Sequence, residues 1–287
     1  GYGAGSAINS TGANGTVAVG QSALAALTSG AGNLAIGYHA MRVHTTGASN
    51  IAIGYGAMDD TDAGSTSLSS TNNIFIGYDA GGGTWADVAS TGNTAIGAYA
   101  MDAALNGALY NTALGYLALG ALTEGDNNVA IGYQAGDALT TGGDNTIIGT
   151  EAGTATTAAS RLVMIGYGAG RNGNITTDGS GCIGSGQYAL QDLTSGQNST
   201  AVGYRALADL TTGDRNTAVG YGALDAITTG NDNVAVGWGA GGSTSNTTGT
   251  NNTFLGGSAG NQSFNKNDNT FVGYRAGREN RAGANSV

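Results

Sequence analysis

The sequence predicts an all-β fold, a parallel β-solenoid of about 16 coils with a basic period of 17 residues. Three observations predict it. A motif typified by Asn216-Thr217-Ala218-Val219-Gly220-Tyr221-Gly222-Ala223 recurs from one end of the chain to the other. The spacing between copies has a fixed minimum, with only additions above it. The chain has no proline, so every residue can donate to a backbone ladder.

A glycine after the apolar pair marks each copy. It falls at Gly1, Gly20, Gly37, Gly54, Gly77, Gly97, Gly115, Gly132, Gly149, Gly166, Gly184, Gly203, Gly220, Gly237, Gly256 and Gly273. Eight of the 15 intervals are 17 residues, and the other seven run from 18 to 23. A constant coil with loops bulging at one corner gives that distribution. Random low complexity scatters both ways.

Each column of the repeat has a physical reading. Ala usually stands two residues before the marker, with Ile, Val or Leu just before it. Such a β-branched run, cut by glycine, is too short for a helix and reads as a strand of about four to six residues. Ala lies three residues after the marker in 15 of the 16 copies, which points to a tight corner or a close-packed interior. The copy at Gly184 departs, with its alanine displaced to Ala189. The next position is Leu or Met in seven copies and Gly in eight. The first kind adds core, and the second frees the turn. One such unit cannot bury its own apolar face, and stacking buries it. Sixteen coils at the strand spacing would make a rod about 70 Å long. Helical solenoids, propellers and collagen need other periods or compositions.

Stacking turns columns into ladders. The residue after the marker is aromatic at Tyr38, Tyr55, Tyr78, Tyr116, Tyr133, Tyr167, Tyr204, Tyr221, Trp238 and Tyr274, and also at Tyr2. This stripe is read as a structural ladder of stacked rings, in preference to a sugar- or receptor-binding face. The first motif residue is Asn in most copies, with Ser199 in one. Stacked Asn side chains hydrogen-bond to the copies above and below, again a structural role.

These motifs resemble the head repeats of trimeric autotransporter adhesins, with their N-S/T-V/A-A-I-G cores. They are closer still to the N-T-A-I-G-Y-x-A-L-x-x-x-T-T-G-x-N repeats of phage tail fibres. The resemblance spans essentially all 287 residues. It implies a parallel β-roll, three chains wound about a common axis, and an extracellular location on a virion or bacterial cell surface. This chain's coil is three residues longer than the adhesin repeat, commonly by a Thr-Thr-Gly segment.

Composition narrows the function classes. The repeat runs unbroken, so residues 1–287 are expected to form a single elongated domain. Glycine supplies 54 residues, but at fixed positions, unlike a flexible linker. Only 10% of residues are charged and large apolar side chains are few, so each coil has a thin core and association is favoured. The net charge of −10 leaves no basic patch, which argues against nucleic acid and anionic membrane surfaces as partners. No stretch reads as a membrane span, so no membrane insertion is expected. The chain starts and stops inside repeats, and is expected to be part of a longer protein whose other ends carry attachment and tip.

Taken in order, the first full coils, from Thr16 to Met58, are regular. The next two carry the largest insertions, residues 59–71 and 81–91. Loops on a rigid scaffold are natural contact sites, so Asp59, Asp60, Asp62 and Trp85 are candidate loop contacts. The Asp59-Asp60-Asp62 cluster lacks the glycine and spacing of an EF-hand loop. From Asn111 to Gly166 the period is strict. Cys182, the only cysteine, is read as a buried thiol in the Ala column of the irregular copy. Corner aspartates (Asp126, Asp144, Asp214, Asp232, Asp268) are read as turn formers rather than calcium ligands. Thr-Thr pairs such as Thr211-Thr212 and Thr228-Thr229 raise ice binding as an alternative.

No catalytic function is expected. His39 and His44 share one coil with no nucleophile or carboxylate motif beside them. The Gly-x-Gly patterns open no helix. Neither a catalytic residue, a metal site nor a cofactor is expected. The function expected is the structural shaft or head of an extracellular trimeric fibre. A monomeric ice- or glycan-binding solenoid, acting through a Thr or Tyr ladder, is the alternative.

Overall fold

The computed structural model describes residues 1–8, 11–61, 69–86, 88–242, 247–262 and 266–278. It is a parallel β-solenoid, as the periodicity predicts. The chain divides into two compact units, residues 1–144 and 145–287. The first holds β1 (Val17–Val19), β2 (Leu34–Ile36), β3 (Ile51–Ile53), β4 (Ile74–Ile76), β5 (Thr94–Ile96), β6 (Thr112–Leu114) and β7 (Val129–Ile131). The second holds β8 (Thr146–Ile148), β9 (Val163–Ile165), β10 (Ile183–Ser185), β11 (Thr200–Val202), β12 (Thr217–Val219), β13 (Val234–Val236), β14 (Thr253–Leu255) and β15 (Thr270–Val272).

Within each unit, successive strands pair in parallel with like columns opposed. Ala18 faces Ala35 and Ala35 faces Ala52 in the first unit, and Ala201 faces Ala218 in the second. The strands are three residues long, shorter than the sequence predicts. Both ends are cut by left-handed backbone. The residue before the Asn column sits at φ 54 in Arg215 and 58 in Asp232, and the marker glycine after the strand sits at φ 135 in Gly220. The marker is glycine for a second reason. A Cβ on Gly220 would lie 2.5 Å from the carbonyl oxygen of Gly237, one coil away. Coils at strand spacing leave no room for it.

The register also corrects the irregular copy. Gly184 opposes Ala201 and so sits in the inner strand column. The marker there is Gly186, at φ 144, and Ala189 then follows it by three residues as in every other copy. With that marker the column is Ala in all 16 copies, fully buried from Ala23 to Ala259.

Two columns fill the core by compensation, which the sequence reading missed. Seven copies pair a small inner-strand Ala with a Leu or Met four residues after the marker, as in Ala218 with Leu224. Five copies reverse this: Phe75 with Gly81, Ile147 with Gly153, Met164 with Gly170, Phe254 with Gly260, and Phe271 with Gly277. The reversal is steric. A Cβ on Gly170 would come 3.1 Å from the Met164 sulfur, and one on Gly81 2.5 Å from the Phe75 ring. The position is left-handed in either case, at φ 49 in Leu224 and 60 in Gly170. Leu accepts that conformation because its side chain is wholly buried, and burial outweighs a strain of about 1–2 kcal/mol. The pattern was visible in the sequence as a covariation between the two columns.

Candidate functional site

The surface feature that recurs in both units is an exposed apolar stripe on the outer face of the sheet. The strand alternates, so the middle residue points inward and its neighbours outward. The residue just before the marker is therefore an exposed aliphatic, such as Val19, Ile96, Leu114, Val219 or Val236. Beside it runs the aromatic column. Tyr55 is 50% exposed, Tyr221 56% and Trp238 62%.

The tyrosines stack as the columns predict. Ring centroids lie 4.9 Å apart for Tyr38 and Tyr55, 5.2 Å for Tyr55 and Tyr78, 5.4 Å for Tyr116 and Tyr133, and 4.9 Å for Tyr204 and Tyr221. Five copies lack an aromatic in the column, with Gln21, Ala98, Thr150, Gln187 and Gly257 there instead. After Ala98 and Gln187 the following residue is tyrosine and bridges the gap. Tyr99 meets Tyr78 and Tyr116 edge-on at 5.3 and 5.8 Å, and Tyr188 meets Tyr167 and Tyr204 at 5.3 and 6.3 Å. Tyr274 carries Arg275 over its ring at 4.9 Å. Burial is not what holds the stripe. Offset stacking and edge contacts between half-exposed rings do.

Beneath the sheet runs the Asn ladder. Asn111 Nδ2 donates to Asn93 Oδ1 (3.0 Å) and to the corner carbonyl of Gly125 (2.7 Å), and Asn128 N donates to Asn111 Oδ1 (2.9 Å). The same arrangement repeats at Asn50, Asn73 and Asn93. Cys182 belongs to this column and not to the Ala column. Its thiol donates to Gly196 O at 3.3 Å and accepts from Ser199 N at 3.4 Å. Burial pushes the thiol up to about 11, so it stays protonated.

The candidate loop contacts separate. Trp85 is fully buried: its ring meets Phe75 edge-on at 5.6 Å and its N–H donates to Gly81 O at 3.0 Å, so it is core. Asp59 pairs with Arg42 at 3.0 Å, with His39 4.0 Å away, and its carboxyl is raised by desolvation. Asp60 accepts from Thr84 Oγ1 at 2.8 Å. Asp62 lies outside the described residues. Desolvation lifts Asp102, near Asp79, to about 6.

The corner aspartates accept from the coil before them and not, as turn formers would, from their own turn. Asp126 accepts from Leu109 N and Asp214 from Gln197 N, each at 2.8 Å, and Asp232 holds Arg215 through both carboxylate oxygens. Among the described residues, no three His, Cys, Asp or Glu side chains are grouped to hold a metal, and no pocket opens in the surface. The Thr corners direct hydroxyls along the stack: Thr194, Thr211 and Thr228 each donate to a threonine carbonyl one coil on. His44 is core, with Nδ1 2.9 Å from Thr61 Oγ1 and Nε2 3.0 Å from Gly47 O.

No family model, curated protein or solved structure matches the chain.

Proposed function

We propose that the chain is a structural element of an extracellular fibre. It forms the shaft or head of a trimeric assembly, as in the phage tail fibres and bacterial surface adhesins whose repeats it resembles. The observation that carries this reading is the exposed stripe of aliphatic and aromatic side chains that recurs on the outer sheet face of each unit. A contiguous apolar patch of that kind marks an association surface. Another copy of the same chain is the best-matched occupant, because it presents ladders of identical pitch. The function is mechanical. Backbone ladders and a repeated core resist unfolding and hold a binding tip away from the particle or cell. No reaction, cofactor or metal enters it.

Light scattering on the dilute chain tests the reading. A mass near three times 28.0 kDa supports it. The paired substitutions Val219→Lys and Tyr221→Lys, placed in the stripe, should then weaken the assembly. A single-chain mass removes the trimer. The second reading then moves forward: a monomer binding glycan through its exposed tyrosines. The use of Thr hydroxyls along the stack counts against the Thr corners as an ice-binding face.

A further inference from the structure

We propose that the stacked tyrosines are a site of oxidative modification, at which a peroxide-driven one-electron oxidant joins neighbouring coils through dityrosine. The pairs Tyr38–Tyr55 and Tyr204–Tyr221 show the geometry. Their centroids are 4.9 Å apart in both cases, and the rings are within 15° and 21° of parallel. The strands ahead of them are in register, Leu34 on Ile51 and Thr200 on Thr217, so like rings stack nearly parallel on successive coils. Half of Tyr55 and of Tyr221 is open to solvent, so a small oxidant reaches them.

The chemistry balances as follows. Each phenol loses one electron and one proton to give a phenoxyl radical whose unpaired spin resides partly on the ortho carbons. A carbon–carbon bond forms between one ortho carbon of each ring. Each of those carbons then passes its hydrogen to the phenolic oxygen as the ring regains aromaticity. Two electrons and two protons leave in all, and hydrogen peroxide takes them up to become two waters. In most proteins two tyrosyl radicals must meet by diffusion. Here the fold holds the partner at contact distance, which converts coupling into a unimolecular event. Small rotations about the two Cα–Cβ bonds close the rings while the backbone stays paired.

The same geometry ranks the sites. Tyr99 and Tyr188 meet their neighbours at interplanar angles of 66° to 85°, which set a ring edge against a face and put ortho carbons out of line. Tyr110 is 63% exposed and has no ring partner among the described residues, so it is an internal control. Both partners of each staple belong to one chain, and the oxidant reaches them on the free chain, before another copy covers the stripe. The consequence would be covalent hardening of the coils after folding.

The experiment treats the dilute full chain with hydrogen peroxide and a small haem peptide, followed by a denaturing gel and tryptic mass mapping. Arg42 separates Tyr38 from Tyr55, and Arg205 and Arg215 separate Tyr204 from Tyr221. The expected products are peptide 1–42 joined to 43–161, and 172–205 joined to 216–266, each lighter by two hydrogens. Both should come from material that still runs as a single chain. Tyr55→Phe should abolish the first link and leave the second, and Tyr221→Phe the reverse, so each variant reports its own folding. Absence of both links overturns the proposal. So does coupling through Tyr110 at equal yield, or linked material found only at multiples of the chain mass.

Discussion

Two stretches of this chain keep the same register, one with a continuous amide ladder and one where the ladder is broken. From Asn33 to Asn128 the column under the sheet is Asn in every coil, and from Asn50 onward each amide is bonded to the Asn of the coil before it and to a corner carbonyl. From Leu162 to Ser199 the column reads Leu, Cys, Ser. There Leu162 N still donates to Asn145 Oδ1, but the Leu side chain passes nothing on. Only the first of these coils has a larger inner residue, the fully buried Met164; the next two have Gly184 and Ala201, as small as the Ala that mostly fills the other stretch. The strands pair in the same register in both stretches, so the amide ladder adds to the backbone register and does not create it. Core size does not set where the ladder runs either, since Asn73 and Asn252 keep it beside the large Phe75 and Phe254.

The largest expected effect removes the one large inner residue of the second stretch. Met164→Ala should cost about 4 kcal/mol, since the flanking Gly170 and Gly184 offer no side chain to fill the void. Adding Gly170→Leu recreates the pairing of Ala218 with Leu224 and should recover more than half of that loss. A double-mutant cycle by chemical denaturation measures the coupling, and simple additivity would refute the compensation. Next, Asn111→Leu in the laddered stretch should cost about 3 kcal/mol. It strips the Gly125 carbonyl and the Asn128 N–H of their buried partner. Leu162→Asn, the reverse exchange in the other stretch, should change stability by less than about 1 kcal/mol.

A smaller effect concerns pH. The folded-state pKa of Asp102 is raised to about 6, mainly by desolvation, above an unfolded value near 3.8. The folded state therefore binds the proton more tightly. Stability attributable to this group is greatest below about pH 4 and falls as pH rises through 6. The fall is about 1 kcal/mol after allowing for solvent screening of a half-exposed carboxylate. Asp102→Asn should flatten that part of the melting-temperature profile. The smallest effect is a gain. Thr156 Oγ1 is buried without a hydrogen-bond partner in the coil just before the second stretch, so Thr156→Val should stabilise the protein by about 1 kcal/mol in a denaturant titration.

Much of this architecture was legible in the residues. The marker glycines, the Ala column and the tyrosine stripe follow from periodicity alone. Three details were not. Cys182 reads as a member of the Ala column because Gly184 has the look of a marker. Gly186 holds that place because only there does the backbone reach φ 144 beside Gly203. Trp85 reads as a loop side chain because it lies in an inserted segment, whereas its ring fills the interior against Phe75. The exchange of Phe, Met or Ile with Gly across two columns was present in the sequence. It becomes an interaction only once the turn brings those positions together.

The sequence by itself determined the repeat, the parallel stacking and the ladders. A 17-residue period with conserved small residues admits one way of burying backbone and side chains together. The tertiary structure decided which residues of each coil face outward, how each core is filled, and which irregular residue takes which place in the column. Those outcomes depend on contacts between coils, and no single repeat contains them.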